Sequence, residues 1–135
     1  MTFVKVCGTT NLADAQVAID AGADLLGFIL YPKSPRDVAP AVVKAIVAAL
    51  QVRASSPLLV GVFVNAPPDF VRAILDETGL DLAQLHGDEA PAAFAPLAGR
   101  IFKALRPTSL EDALAAGAAW APLAAPRGPQ LLVDA

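Results

Sequence analysis

The sequence has few residues of the kinds that build cross-linked or metal-bound folds. Its 135 residues include one cysteine and one histidine. The single cysteine, Cys7, cannot form an internal disulfide, and the single histidine, His86, argues against a histidine-based metal site. The N-terminal residues MTFVKVCG lack the long apolar core of a signal peptide. We therefore expect a cytoplasmic protein that is held together by its hydrophobic core.

Charged residues are also scarce, at 17% of the chain, and the net charge is −3. A net negative charge without a local cluster of lysine and arginine gives no basic surface to which nucleic acid could bind. Apolar stretches such as LLVGVFV are interrupted by proline, asparagine or charge well before about 18 residues, the minimum for a membrane span. The sequence thus predicts neither a nucleic-acid partner nor a membrane partner.

Apolar residues are abundant, at 56% of the chain, and they occur in a regular alternation. Short aliphatic runs are each followed by turn residues and then by a longer, alanine-rich segment with helical spacing. Asn11 followed by Asp14 indicates a helix start, Gly22 a helix end, and Pro40 the first turn of another helix. The pattern predicts five intervening helices, the fourth interrupted by prolines, and six strands with the runs FVKVCG, LLGFIL, LLVGVFV, LAQLHG, RIFKALR and QLLVDA.

Strict alternation of strand and helix implies parallel strands joined by right-handed crossovers. Two architectures have this alternation of strand and helix: an open doubly wound sheet and the closed eight-stranded βα barrel, or TIM barrel. The segment CGTTN after the first strand is neither G-x-G-x-x-G nor a P-loop, which favours the barrel. A complete barrel usually needs about 200 residues or more. We therefore expect residues 1–135 to form a single incomplete α/β barrel domain of six βα units, without the seventh and eighth.

Barrel enzymes place their chemistry at the carboxyl ends of the strands. The polar residues of the predicted strands fall there, namely Cys7, Gln84, His86, Arg106 and Asp134. A lone cysteine is more often a small buried apolar residue, but Cys7 precedes Gly8, which would let a ligand approach the backbone. A cysteine at such a position can act as a base near neutral pH.

Asp134 closes an otherwise apolar strand, where an unpaired charge is costly. Its alternative role, capping a following helix, has no such helix in these 135 residues. Cys7 and Asp134 together would form a base and an acid at one strand-end face. That combination suits proton abstraction beside a carbon that becomes a carbonyl, coupled to protonation of a leaving oxygen.

Three other polar residues have two interpretations each. Arg36, in the proline-stiffened loop YPKSPRDV, is either an ordinary surface residue or a bidentate partner for a carboxylate. For His86, a hydrogen-bonded residue at a strand end is favoured over a ligand contact. Lys103 is a candidate Schiff-base lysine, but pairing of Lys5 and Lys103 with carboxylates in the barrel interior is favoured.

The segments VKVCG, AGADLLGFILYPKSPR, VGVFVN, LAQLHGDE, FKALR and LLVDA resemble, in order and spacing, the phosphoribosylanthranilate isomerase family of tryptophan biosynthesis. The resemblance covers essentially the whole chain. It implies an Amadori rearrangement of N-(5-phosphoribosyl)anthranilate to 1-(2-carboxyphenylamino)-1-deoxyribulose 5-phosphate, without cofactor or metal.

The resemblance also implies residue roles. The cysteine matching Cys7 would remove the proton from C2' of the ribose, and the aspartate matching Asp134 would donate a proton to the ring oxygen. The arginine matching Arg36 would hold the anthranilate carboxylate. Gln84 and His86 match positions that line the pocket.

One expected part of such enzymes is missing from these 135 residues, the two glycine-containing loops after the seventh and eighth strands that hold the substrate phosphate. Phosphate sites in βα barrels use these last loops. We therefore expect the 135 residues alone to be inactive, since the phosphate has no binding site and its binding energy cannot support the chemical step. The alternative is a catalytically silent fragment that self-associates through the open edges of its first and sixth strands.

Overall fold

The computed structural model describes residues 2–51 and 57–134. In these ranges six strands and five α-helices alternate: β1 Lys5–Cys7, α1 Leu12–Asp20, β2 Leu25–Ile29, α2 Pro40–Leu50, β3 Leu58–Phe63, α3 Pro68–Thr78, β4 Leu82–Leu85, α4 Pro91–Phe94, β5 Ile101–Leu105, α5 Leu110–Trp120 and β6 Leu131–Val133. Short 3-10 turns, Ala95–Leu97 and Ala121–Leu123, follow α4 and α5. Met1, residues 52–56 and Ala135, which the predicted domain includes, lie outside the described residues.

The strands form one parallel sheet in sequence order, β1-β2-β3-β4-β5-β6. Each strand pairs with the next one along the chain; Cys7, for example, is opposite Gly27, and Gln84 is opposite Phe102. A doubly wound sheet would reverse its strand order at a switch point, whereas sequential order is the arrangement of a βα barrel. The predicted fold class is confirmed: the sheet curls into the first six units of a TIM-type barrel.

Alternate residues of the strands enter two hydrophobic clusters, because both faces of the sheet are covered. The larger cluster lies between the sheet and the helices and includes Leu26, Phe28, Phe63, Leu85, Ile101 and Trp120. The smaller cluster lies on the inner side of the curled sheet and includes Leu25, Val60, Leu82, Phe102 and Ala125. The strand residues in phase with this second cluster therefore point into the barrel.

The predicted helix boundaries agree with the structure. The Asn11 side chain caps α1 by accepting a hydrogen bond from the Asp14 N–H at 2.8 Å. The C-cap is Ala21, and Gly22 follows it with a φ of +89°, the left-handed conformation that suits glycine. Pro40 is the first residue of α2. The proline-interrupted fourth segment yields only the four-residue α4 and a 3-10 turn.

Two aspartates tie neighbouring strands together at the amino ends of β2 and β4. Asp24 accepts a hydrogen bond from the Val4 N–H at 2.7 Å, and Asp81 accepts one from the Leu59 N–H at 2.8 Å. Both aspartates stand in a Gly-x-Asp-Leu segment, residues 22–25 and 79–82. This repeated Gly-x-Asp-Leu arrangement was not predicted from the sequence.

The outermost strands of the described sheet are β1 and β6, each paired on one side only. These are the two edges expected for six βα units. Among residues 2–51 and 57–134, the longest helices have 11 residues, and none has the length and apolar character needed to cross a membrane.

Candidate active site

The inner face of the sheet carries polar groups at the carboxyl ends of its strands. Lys5 and Cys7 are opposite Leu25 and Gly27, and Leu25 belongs to the inner cluster, so the side chains of Lys5 and Cys7 also point into the barrel. The free thiol of Cys7 is half-buried. A Cβ atom at Gly27 would lie 2.8 Å from its Sγ. The glycine on β2 therefore leaves the space that the Cys7 thiol occupies.

Arg36 reaches back from the loop after β2 to the end of β1. Its Nη1 donates a hydrogen bond to the Cys7 carbonyl at 2.9 Å. The guanidinium lies against Gly8, where a Cβ would be 2.3 Å from Nη1, and Gly8 has a φ of +85°. The Ser34 hydroxyl accepts the Arg36 N–H at 3.2 Å and shapes the loop. Arg36 is thus placed beside Cys7, and its other guanidinium donors have no partner among residues 2–51 and 57–134.

At the other end of the sheet, Gln84, His86 and Asp134 form a chain of hydrogen bonds. Gln84 Nε2 lies 2.9 Å from His86 Nδ1, and His86 Nε2 lies 3.0 Å from Asp134 Oδ2. An amide NH₂ group can only donate, so in this arrangement Nδ1 accepts and the proton of the neutral ring is on Nε2. The imidazole therefore donates to Oδ2 of Asp134. The favoured interpretation of His86 as a hydrogen-bonded strand-end residue agrees with this geometry.

The side-chain carbonyl oxygen of Gln84, Oε1, is a hydrogen-bond acceptor without a donor among the described residues. Gln84 is only 2% exposed. No donor within the described part of the chain contacts its Oε1 atom. An unpaired buried carbonyl oxygen costs free energy in a folded protein, so this atom is a candidate contact for a ligand hydroxyl or amine.

Lys103 lies on the helix side of the sheet and not in the barrel interior, because its neighbours in β5, Ile101 and Leu105, belong to the larger cluster. Its Nζ is 2.7 Å from Glu89 Oε2 and 5.7 Å from the centre of the Trp120 ring. The expectation that it pairs with a carboxylate agrees with the structure, but the expected interior location was wrong. A buried, paired ammonium outside the barrel also argues against a Schiff-base role.

Glu89 was not among the residues predicted from the sequence. Burial raises the pKa of its carboxyl, but hydrogen bonds from Lys103 and from backbone N–H groups lower it more, so the pKa lies below the ordinary value of 4.5. The segment GDE directly after His86 was a signal for it, because an acidic residue near the end of a buried strand needs a partner. Glu89 is therefore charged at neutral pH.

The structure brings the predicted site residues to one end of the sheet in two groups. Cys7 and Arg36 are together at the end of β1, and Gln84, His86 and Asp134 are together at the ends of β4 and β6. Arg106, also predicted at a strand end, donates from Nη2 to the His86 carbonyl at 3.1 Å. Across the described ranges, no three histidine, cysteine, aspartate or glutamate side chains form a cluster suited to a metal ion.

A parallel sheet in sequence order, with polar groups on its inner face at the carboxyl ends, defines the class of βα-barrel enzymes. The sequence model of one family in this class, described as N-(5'-phosphoribosyl)anthranilate (PRA) isomerase, matches residues 4–120. The chain belongs to this family.

Relatives support this assignment. The chain is 46% identical over 114 residues to the N-(5'-phosphoribosyl)anthranilate isomerase of Citrifermentans bemidjiense, covering 83% of the chain and 53% of the relative. It is 49% identical over 108 residues to that of Azotobacter vinelandii, covering 80% and 51%. The chain thus spans about half the length of the curated relatives that it matches.

Solved structures show the same fold. A monomeric form of the dimeric phosphoribosylanthranilate isomerase of Thermotoga maritima superposes with a TM-score of 0.82 at 32% identity, covering 99% of this chain and 65% of that one. A phosphoribosyl anthranilate isomerase in complex with reduced 1-(o-carboxyphenylamino)-1-deoxyribulose 5-phosphate has a TM-score of 0.83 at 32% identity, with coverage of 99% and 65%.

Proposed function

We propose that the protein to which these residues belong isomerises N-(5-phosphoribosyl)anthranilate to 1-(2-carboxyphenylamino)-1-deoxyribulose 5-phosphate, an Amadori rearrangement in tryptophan biosynthesis. Family membership supports the reaction, and a family structure holds a reduced form of that product. The observation that carries the proposal is the 3.0 Å contact between His86 and Asp134, which lies at the same end of the sheet as Cys7. A carboxyl and a thiol at one end of the sheet would suit the roles of acid and base.

In this proposal Asp134 is the general acid and Cys7 the general base. A proton from Asp134 goes to the ribose ring oxygen, the bond from C1' to that oxygen breaks, and the anthranilate nitrogen forms a double bond to C1'. Cys7 then takes the proton from C2', and the electrons of that C–H bond form an enamine. Transfer of the enol proton to C1' gives the ketone. The Cys7 thiol then loses its proton to solvent and Asp134 regains one, so both groups return to their starting states, and no oxidant or reductant is consumed.

Substrate contacts are proposed for three further residues. Arg36 would hold the anthranilate carboxylate, because within the described residues one of its five donors is committed, to the Cys7 carbonyl. Gln84 would accept a substrate hydroxyl or amine at Oε1, the buried acceptor without a donor in the described ranges. His86 borders the same space and donates to Asp134.

We further propose that turnover requires a phosphate site outside the six described βα units. Phosphate sites in this fold use the loops after strands seven and eight. Without such a site the remote binding energy that supports the chemical step is lost.

The competing function is a catalytically silent chain that associates with a second copy through the edges β1 and β6, which the sheet order leaves unpaired within the described residues. We place either species in the cytoplasm, acting on a small-molecule substrate and not on nucleic acid.

Turnover of phosphoribosylanthranilate separates these proposals. We expect no turnover by the 135-residue chain alone, and turnover when a polypeptide with the last two βα units of a relative is added. Full turnover by the monomeric chain alone would refute the need for a further phosphate site. In a chain of the relatives' length, Cys7→Ala and Asp134→Ala should each nearly abolish kcat, whereas Arg36→Ala should mainly raise KM. Normal turnover of either of the first two variants would refute the role assigned to that residue.

A further inference from the structure

Glu89 and Lys103 form the most enclosed ion pair among the described residues, with side chains 2% and 6% exposed. The proposed mechanism uses neither residue. An enclosed pair is weak evidence for a purely stabilising role, because the cost of removing two charges from water roughly offsets their attraction. The other hydrogen bonds of the pair indicate what it does.

These hydrogen bonds converge on the backbone on both sides of His86. Lys103 Nζ donates to the Leu85 carbonyl at 3.3 Å and to the Gly87 carbonyl. Glu89 accepts the Gly87 N–H at 3.1 Å through Oε1 and at 3.0 Å through Oε2. The peptide groups before and after His86 are therefore held from the helix side, while its ring lies on the inner side.

Glu89 also ties this loop to the preceding one. Its Oε1 accepts the Asn65 N–H at 2.9 Å, and Asn65 Oδ1 accepts the Asp88 N–H at 2.7 Å. Asn65 has a left-handed φ of 54°, and a Cβ at Gly87 would lie 2.4 Å from its Oδ1. The two loops thus interlock around one carboxylate, and rotation of the Gly87 peptide is restricted.

We infer that Glu89 and Lys103 are positioning residues: from outside the barrel they fix the backbone of His86, and through its imidazole the carboxyl of Asp134. The inference rests on the proposed function in that Asp134 is the proposed acid. The contact between His86 Nε2 and Asp134 Oδ2 is 3.0 Å long, so a small rotation of the His86 backbone would break it.

The experiment is imidazole nitrogen NMR of the 135-residue chain, in which His86 is the only histidine. We expect one fixed tautomer, with Nε2 protonated and Nδ1 bare. In Glu89→Gln the two nitrogen signals should move toward an average of tautomers, and the Nε2–H should exchange with water about tenfold faster, as for a lost charge-assisted hydrogen bond. The matched control is Asp76→Asn, which alters the exposed ion pair between Asp76 and Arg100 and should leave the His86 signals unchanged.

A second variant covers the case in which Glu89→Gln does not fold. The double variant Glu89→Leu with Lys103→Met replaces the pair by apolar side chains, an exchange that often preserves stability, and should show the same loss of the fixed tautomer. Unchanged His86 signals in either folded variant would overturn the inference.

The proposed function fails separately, if the wild-type protein of the relatives' length does not turn over the substrate. In that longer protein we expect Glu89→Gln to lower kcat with KM nearly unchanged; a rise in KM alone would also overturn the inference.

Discussion

His86 Nε2 lies 3.0 Å from Asp134 Oδ2, although the two residues are 48 positions apart in the chain. The contact exists because β4 and β6 flank β5 in a parallel sheet and end at the same edge. Gln84, two residues before His86 on the same strand face, fixes the other ring nitrogen. The geometry thus orients a carboxyl through an imidazole that is itself oriented by an amide.

Gln84→Met tests the role of that amide. Methionine has a similar volume and removes the donor to His86 Nδ1 together with the buried acceptor that lacks a donor in the described ranges. We expect the free energy of unfolding to change by less than about 1 kcal/mol, because an unsatisfied polar group is lost along with the hydrogen bond. The His86 tautomer should nonetheless become mixed by NMR. A large loss of stability with the tautomer retained would contradict this assignment.

Gly8→Ala tests how closely Arg36 packs on the end of β1. Gly8 has a φ of +85°, and a Cβ there would lie 2.3 Å from Arg36 Nη1. Gly99 is a matched control, because its φ is also +85° but a Cβ there would meet nothing within 4 Å. Gly99→Ala should cost about 1 to 2 kcal/mol from backbone strain alone. Chemical denaturation should show a larger loss for Gly8→Ala, and equal losses would contradict close packing of Arg36.

The fold was predictable because alternation of strand and helix is a periodic signal that each unit repeats. The strand-end positions of Cys7, Gln84, His86 and Asp134 followed from it, since the carboxyl ends of parallel strands meet at one edge. Which of these residues touch was not predictable. The contact of His86 with Asp134 depends on the register of β4, β5 and β6, which no local pattern encodes.

The side of the sheet on which Lys103 lies was also beyond the sequence analysis. In a half-buried strand, alternation of apolar and polar residues labels the two faces. In β5 both sets of alternate residues are apolar apart from Lys103, because helices cover one face and the barrel interior the other. The pattern around Lys103 therefore carried no information about its side, and the partner Glu89 was missed with it.

Asp81→Ala tests the repeated Gly-x-Asp-Leu arrangement at the amino ends of β2 and β4. It removes the acceptor of the Leu59 N–H, a hydrogen bond of 2.8 Å to a carboxylate. We expect a loss of about 1 kcal/mol or somewhat more in the free energy of unfolding. Asp88→Ala is a control, because Asp88 is exposed and its carboxylate accepts no hydrogen bond in the part of the chain that the structure describes. Equal stability of the two variants by denaturant titration would contradict a stabilising role for the hydrogen bond between Leu59 and Asp81.

Glu89→Gln should lower stability in a way that depends on pH. The folded pKa of Glu89 lies below 4.5, so the ionised carboxylate contributes stability that is fully present above pH 4.5 and is lost as the pH falls through the folded pKa. Near neutral pH, breaking this enclosed pair should cost about 3 to 5 kcal/mol. Below the folded pKa the wild-type side chain is protonated and resembles glutamine, so the difference between the two unfolding free energies should shrink. Denaturant titrations of both chains from neutral to acidic pH measure it. A difference that stays constant or grows on acidification would mean that Glu89 is not held as a carboxylate by Lys103 and the two loops.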